Sequence, residues 1–169
     1  RKGALVDSAV WTHETGDAAR SYFSQDQRVQ APLGVLWYGD GPDHGFYKRK
    51  DYGIGVKPQV VGGRLYAFQI ISRTLHAIDV YTGRLLWKQK VASFTRYASM
   101  PDGIYVAGED RCIVYDPTTG LKVRELMMDL GDIGERKPGV SDIRVSDDLV
   151  VVAVDFDKVR NLAKGLWNA

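Results

Sequence analysis

Few side chains in this sequence have the types and spacing for chemistry. His13, in WTHETGD, has Glu14 and Asp17 close by, a set that can bind a metal ion or polarise a ligand. A lone His beside the turn residues Thr15 and Gly16 is more simply a hydrogen-bonded structural group, and it is not assigned as a ligand. In GPDHGFYKRKDYGIG, Gly41 to Gly55, the cations Lys48, Arg49 and Lys50 and the imidazole of His44 lie among aromatic residues. Such a loop can grip an anionic partner, although a short charge run is also what a solvated loop looks like. These four residues form the candidate binding loop. Cys112 is solitary, so no disulfide closes within the chain, and its neighbours Ile113 and Val114 predict a buried thiol rather than a nucleophile. GDIGERKPGVSD, Gly131 to Asp142, is rich in Gly but lacks the strand-loop-helix context of a phosphate cradle and reads as a linker. Neither a CxxCH haem site nor a Ser-His-Asp spacing is visible. No catalytic, cofactor-binding or metal-binding residue is assigned.

Composition narrows the partners. In 169 residues, 44% are hydrophobic and 11% aromatic, enough to bury a core and too apolar for a disordered chain. A formal charge of +2 gives no electrostatic argument for nucleic acid, and no apolar run approaches the roughly 20 residues of a membrane span. Neither nucleic-acid binding nor membrane insertion is expected. RKGALVDSAVW has no continuous apolar run of the signal-peptide kind. A chain that opens on Arg1 and ends on LWNA fits a segment of a longer protein.

The elements that must position these residues are repetitive. PQVVGGRLYAFQ followed by LHAIDVYTGRLLWKQKV recurs as MPDGIYVAGED followed by CIVYDPTTGLKVRELMM, so that Asp79 matches Asp116, Thr82 matches Thr119 and Gly83 matches Gly120, a period of 37 residues. Tyr66 and Tyr105 correspond as well. Each copy holds short runs of β-formers punctuated by Gly-Gly, Asp-Gly or Thr-Gly, with almost no helical periodicity, which excludes helical solenoids. One such unit cannot bury both faces alone, and radial stacking of four-stranded sheets gives a β-propeller. Within each unit the Asp is expected to accept N–H groups of a tight turn and the Gly to supply positive φ. Trp87, on the outermost strand, is expected to clamp the neighbouring blade. Near the end, Val159, Leu162, Ala163 and Leu166 recur at helical spacing after the cap candidate Asp157, predicting one short helix near 157–167.

Ala77, Asp79, Thr82, Gly83, Arg84 and Trp87 resemble the Ala-x-Asp-x-x-Thr-Gly-Lys-x-x-Trp docking motif of the pyrroloquinoline-quinone-like repeat, with Arg in the Lys position. In the second copy Asp116, Thr119 and Gly120 retain the turn, whereas Val114, Leu121 and Arg124 replace the Ala, Lys and Trp, implying a weaker rim clamp. Gly16, Asp17, Ser24, Asp26 and Gln27 resemble the opening of quinoprotein propellers, although Arg20, Ser21 and Tyr22 stand where an Asn-Thr-Arg run is common. APLGVLWYGD, with Trp37, resembles an outermost strand, and IRVSDDLVVVAVD resembles the first two strands of a further blade. The combination of WTH, Trp11 to His13, with the linker after Trp37 most resembles propeller proteins of planctomycete-type bacteria.

The expected fold is therefore all-β, an incomplete propeller of four-stranded blades with two full and two partial blades, implied to be an N-terminal segment of a larger ring. Its divisions are a lead-in at 1–10, an opening segment and outer strand at 11–40, an inter-blade loop at 41–56, full blades at 57–92 and 93–130, and a linker with the start of a third blade at 131–169. The docking residues are Ala77, Asp79, Thr82, Gly83, Trp87, Asp116, Thr119 and Gly120. What the resemblance implies about function divides in two. The leading expectation is a non-catalytic scaffold that binds a protein or ligand without a cofactor, similar in kind to the barrel-assembly lipoprotein of outer membranes. The alternative is part of a dehydrogenase of alcohols or sugars that uses pyrroloquinoline quinone and calcium. Such enzymes often hold the quinone against an adjacent Cys-Cys pair, and this segment has a single Cys. A third reading is a sensor domain fused to a kinase or methyltransferase. The expected partners are the remaining blades of the parent protein and a protein ligand, and the implied location is periplasmic or otherwise extracytoplasmic.

Overall fold

Short runs of β-formers ending in Gly-rich turns fold here into antiparallel meanders. The computed structural model describes residues 3–37, 56–70, 72–91, 96–108, 110–129 and 138–156, with Pro138, Asp155 and Phe156 described by their backbone alone. The first blade comprises β1 (Gln59–Val61), β2 (Arg64–Gln69), β3 (Thr74–Asp79) and β4 (Leu85–Lys90). The second comprises β5 (Arg96–Ser99), β6 (Ile104–Gly108), β7 (Arg111–Tyr115) and β8 (Lys122–Met127). Each is a four-stranded sheet in sequence order, and β9 (Pro138–Ser146) and β10 (Leu149–Phe156) form a two-stranded third unit. Among the described residues there is no helix; the helix expected near 157–167 and the loop carrying His44, Lys48, Arg49 and Lys50 lie outside them.

The blades stack through their faces. Tyr66, Phe68, Leu75, Ala77 and Trp87 of the first blade bury against Tyr97, Ile104, Val106 and Tyr115 of the second. On the opposite face of the second blade, Ala98, Tyr105, Cys112 and Val114 pack against Val140, Ile143 and Val145 of the third. Every residue of β6 is buried, as a central strand covered on both faces requires. Polar ties cross the first interface: Gln59 Nε2 donates to the Tyr97 carbonyl at 2.7 Å, and the Tyr97 hydroxyl reaches the Tyr66 carbonyl at 2.8 Å. β1 lies beside β5 and β5 beside β9, so the first strand of each blade forms the inner wall.

Two boundaries differ from the sequence reading. β9 begins at Pro138, inside the stretch read as a linker, because its pairing with β10 extends to Phe156 and carries the ladder through Gly139. The stretch 31–40, read as an outermost strand, is described only to Trp37, and residues 31–37 have no strand assignment or ladder partner among the described residues.

Candidate functional site

The matched motif residues build two equivalent turns. Asp79 Oδ1 accepts the N–H groups of Tyr81 and Thr82, both at 3.0 Å, and Asp116 Oδ1 accepts those of Thr118 at 2.9 Å and Thr119 at 2.7 Å. Gly83 N–H returns to the Asp79 carbonyl and Gly120 N–H to the Asp116 carbonyl, both at 2.9 Å, with φ of 72° at each Gly. This left-handed backbone carries a steric penalty for residues with a Cβ. A second requirement is space: a Cβ at Gly83 would stand 2.7 Å from Trp37 Cε3, and one at Gly120 2.6 Å from Trp87 Cδ2.

An indole therefore lies over each turn. Trp87, on β4, donates Nε1–H to the Pro117 carbonyl at 3.1 Å, and Trp37 donates to the Val80 carbonyl at 2.7 Å. Each carbonyl is three residues before the covered Gly, so the two dockings share one geometry. Ala77 stands between Tyr66 and Trp87 in the cross-strand register, and with no exposed surface of its own it leaves room for their rings, whose centroids are 5.9 Å apart. In the second blade the same row reads Tyr105, Val114 and Arg124.

The opening segment forms the other constellation, at the inner wall. Trp11 pairs with Val60 of β1, the Ser99 N–H of β5 donates to the Thr12 carbonyl at 2.8 Å, and the Val145 N–H of β9 donates to His13 Nε2 at 2.9 Å. Three consecutive residues thus touch three consecutive blades, each near the end of its first strand. His13 is buried, and its Nδ1 lies 2.7 Å from Thr12 Oγ1. Burial pushes the imidazole pKa down, against the opposing pull of Asp17 and Asp142 and with a smaller push from Arg144. Both ring nitrogens are engaged, and His13 acts as a structural group.

Next to this segment is an open cleft of about 450 Å³, lined by Asp7, Ser8, Asp17, Ser21, Phe23 and Gln27 among others. Asp17 accepts the Ser21 N–H at 3.0 Å; its carboxyl is held below the usual range by the Ser21 hydroxyl and N–H, so it is ionised at neutral pH. Asp26 accepts N–H groups from Ala9, Arg28 and Val29, and Ser24 Oγ accepts that of Asp26, so these matched residues fold the segment on itself. Sequence reasoning missed the crossing of the three blades, because the partners of Thr12 and His13 lie far along the chain and leave no local spacing. Cys112 is buried, and burial pushes its thiol up to about 11, which keeps it protonated and unreactive at neutral pH.

The described part of the inner wall offers few of the oxygen ligands on which a quinone with calcium, implied by the resemblance for the channel, would draw. Calcium takes six to eight oxygen ligands, carboxylates prominent among them. On β1, β5 and the described side chains of β9, the one carboxylate is Asp142, which is ion-paired with Arg20 and lies 3.2 Å from Arg144 Nε. Among the described residues, no three His, Cys, Asp or Glu side chains converge on a metal position.

No family model and no curated protein matches the chain. Solved structures do. The quinohemoprotein alcohol dehydrogenase of Comamonas testosteroni superposes with a TM-score of 0.62 at 22% identity, over 89% of this chain and 24% of that one. The quinohemoprotein alcohol dehydrogenase ADHIIG of Pseudomonas putida HK5 gives 0.61 at 18% identity, over 87% and 23%. A europium-containing methanol dehydrogenase gives 0.59 at 16% identity, over 88% and 28%. The chain spans about a quarter of the length of these structures. Sheets of four, four and two antiparallel strands, stacked face to face and superposing on these enzymes, give this chain the fold of consecutive blades of an all-β, quinoprotein-type propeller.

Proposed function

We propose that this chain is the scaffold part of a larger extracytoplasmic propeller, where it joins blades and presents a binding surface without performing catalysis. The observation that carries this reading is the engagement of its matched residues. Asp79, Thr82, Gly83, Trp87, Asp116, Thr119 and Gly120 serve turns and blade docking, while His13 has both ring nitrogens bonded at the inner wall. The location outside the cytoplasm rests on the resemblance of the 77–87 motif. Partners in this reading are the further blades of the parent protein and a protein ligand.

The alternative, a segment of a dehydrogenase that uses quinone and calcium, draws support from the names of the enzymes that share the fold. Calorimetric titration of the full-length protein with pyrroloquinoline quinone and calcium separates the two. The scaffold reading expects no saturable binding at micromolar concentration, a level equivalent to about −8 kcal/mol. Saturable binding together with dye-linked alcohol oxidation would overturn it.

A further inference from the structure

His13 joins a segment near the start of the chain to a strand more than a hundred residues later, and it does so through an acceptor. The Val145 N–H has a proton to give and no lone pair to receive one, so Nε2 must be unprotonated. The imidazole proton then resides on Nδ1 and is donated to Thr12 Oγ1, whose hydroxyl passes on to the Gly16 carbonyl at 3.3 Å. A single polar chain therefore runs from β9 through His13 and Thr12 into the Gly16 turn, and its link to β9 depends on a neutral ring.

The contacts on either side differ in kind. Towards the first two blades the segment is held by backbone bonds, Trp11 with Val60 and Thr12 with Ser99, which do not titrate. Towards β9 it is held by His13, by the Arg20–Asp142 ion pair and by Arg144 Nη1 on the Ala18 carbonyl at 3.4 Å. The charged groups acting on the imidazole are Asp17 from its own segment and Asp142 and Arg144 from β9; from β5, Arg96 stands 3.8 Å from the neighbouring Glu14. Asp142 is partly neutralised by its two guanidinium partners.

We propose that the opening segment is an acid-released latch: protonation of His13 Nε2 sets two N–H donors against each other and breaks the imidazole bond to the third blade, loosening the segment there while it stays anchored on the first two blades and tethered to β9 by Arg20–Asp142. The sign follows from burial. A His whose folded pKa is depressed binds its proton more readily once released, so the closed form is complete above about pH 6.5 and weakens as pH falls below that value. Between that value and the lower folded pKa, opening grows by up to about tenfold per pH unit, and below the folded pKa it levels off. Asp142 is held below the ordinary carboxylate range, where the hydrogen bonds and charges of Arg20 and Arg144 outweigh the opposing effect of burial, so the ion pair outlasts the imidazole bond on acidification.

The test is amide hydrogen exchange at Val145 in the full-length protein from pH 8 to 5, corrected for intrinsic rates and compared with His13→Gln. A Gln carbonyl in place of Nε2 can accept the same N–H without titrating. Protection should be constant above pH 7 and fall several-fold by pH 5 in the native protein, and stay level in His13→Gln. Constant protection in the native protein, or an equal fall in both, would overturn the latch. Should His13→Gln fail to fold, nitrogen-15 shifts of the His13 ring in the native protein decide instead. An unprotonated Nε2 at pH 7.5 that gains its proton in step with loss of Val145 protection supports the latch, and a protonated Nε2 at pH 7.5 overturns it.

Discussion

The rims of the two complete blades share one strand register and end in different side chains. In the first blade Tyr66, Ala77 and Trp87 form a row whose indole leaves its own sheet and bonds the Pro117 carbonyl of the next blade. The corresponding Arg124 of the second blade turns back, with its guanidinium 5.6 Å from the Tyr105 ring centroid and Nη2 2.7 Å from the Tyr105 hydroxyl. The Tyr hydroxyls diverge accordingly: that of Tyr66 donates to Pro117 across the interface, and that of Tyr105 to Asp102 of its own blade. Yet the turns beneath share one hydrogen-bond pattern and a Gly φ of 72°. The difference teaches that turn and clamp are separable, since the Asp-Thr-Gly turn satisfies itself with local N–H groups while the clamp exists only with a neighbour to receive it.

If that separation holds, Trp87→Ala is the most damaging rim substitution. It removes a large ring that is 9% exposed, with its contact to Tyr66 and its bond to Pro117, and should cost about 3–4 kcal/mol in urea denaturation of the full-length protein. A cost no greater than that of Arg124→Ala would erase the comparison.

Gly120→Ala comes next. It combines a left-handed backbone with a Cβ pressed against Trp87, and should destabilise by about 2 kcal/mol. The two causes separate in a double-mutant cycle, because without the indole only the backbone part remains. Gly120→Ala in the Trp87→Ala background should therefore cost about 1 kcal/mol, and strict additivity would show that the ring does not rest on the turn.

A smaller effect tests the turn alone. The Asp116 carboxyl is held below the usual range by the Thr119 N–H, together with the Thr119 hydroxyl and the Thr118 N–H. A depressed pKa means stability present above the unfolded value of about 3.9 and lost as pH falls through the folded one. Asp116→Ala should flatten the acid limb of stability below about pH 4, leave its neutral-pH cost below that of Gly120→Ala, and leave Trp87 docked. Unchanged acid dependence in thermal melts would remove the carboxylate from the turn's account.

What could be read from sequence follows the same division. Asp79, Thr82 and Gly83 were legible because a turn is specified by residues that touch within a few positions, and the 37-residue period then exposed the second turn. β9 and β10 were legible in part, through the alternation of IRVSDDLVVVAVD, while Pro138 and Gly139 resemble linker residues and join the strand only through partners in β10. The reach of Thr12 and His13 across the blades was not legible at all. His13 looked like any turn-side His, and its acceptor role depends on an amide 132 positions away.

The weakest expected effect tests the second rim directly. Arg124 is 56% exposed along its side chain, and its partners Tyr105 and Asp102 remain bonded to each other when it is removed. Exposed cation–π contacts are worth about 0.5–1 kcal/mol and exposed ion pairs often less, so Arg124→Ala should cost about 0.5 kcal/mol in the same urea series. Tyr105→Phe offers a control, since it keeps the ring under the guanidinium and removes the hydroxyl that both Arg124 and Asp102 contact. If Arg124 acts only on its own blade, its cost should shrink in the Tyr105→Phe background, because the two residues share one cluster. A loss above about 1.5 kcal/mol that is indifferent to Tyr105→Phe would mean that Arg124 reaches a neighbouring blade of the parent ring, and the second rim would then be clamped by a charge where the first is clamped by an indole.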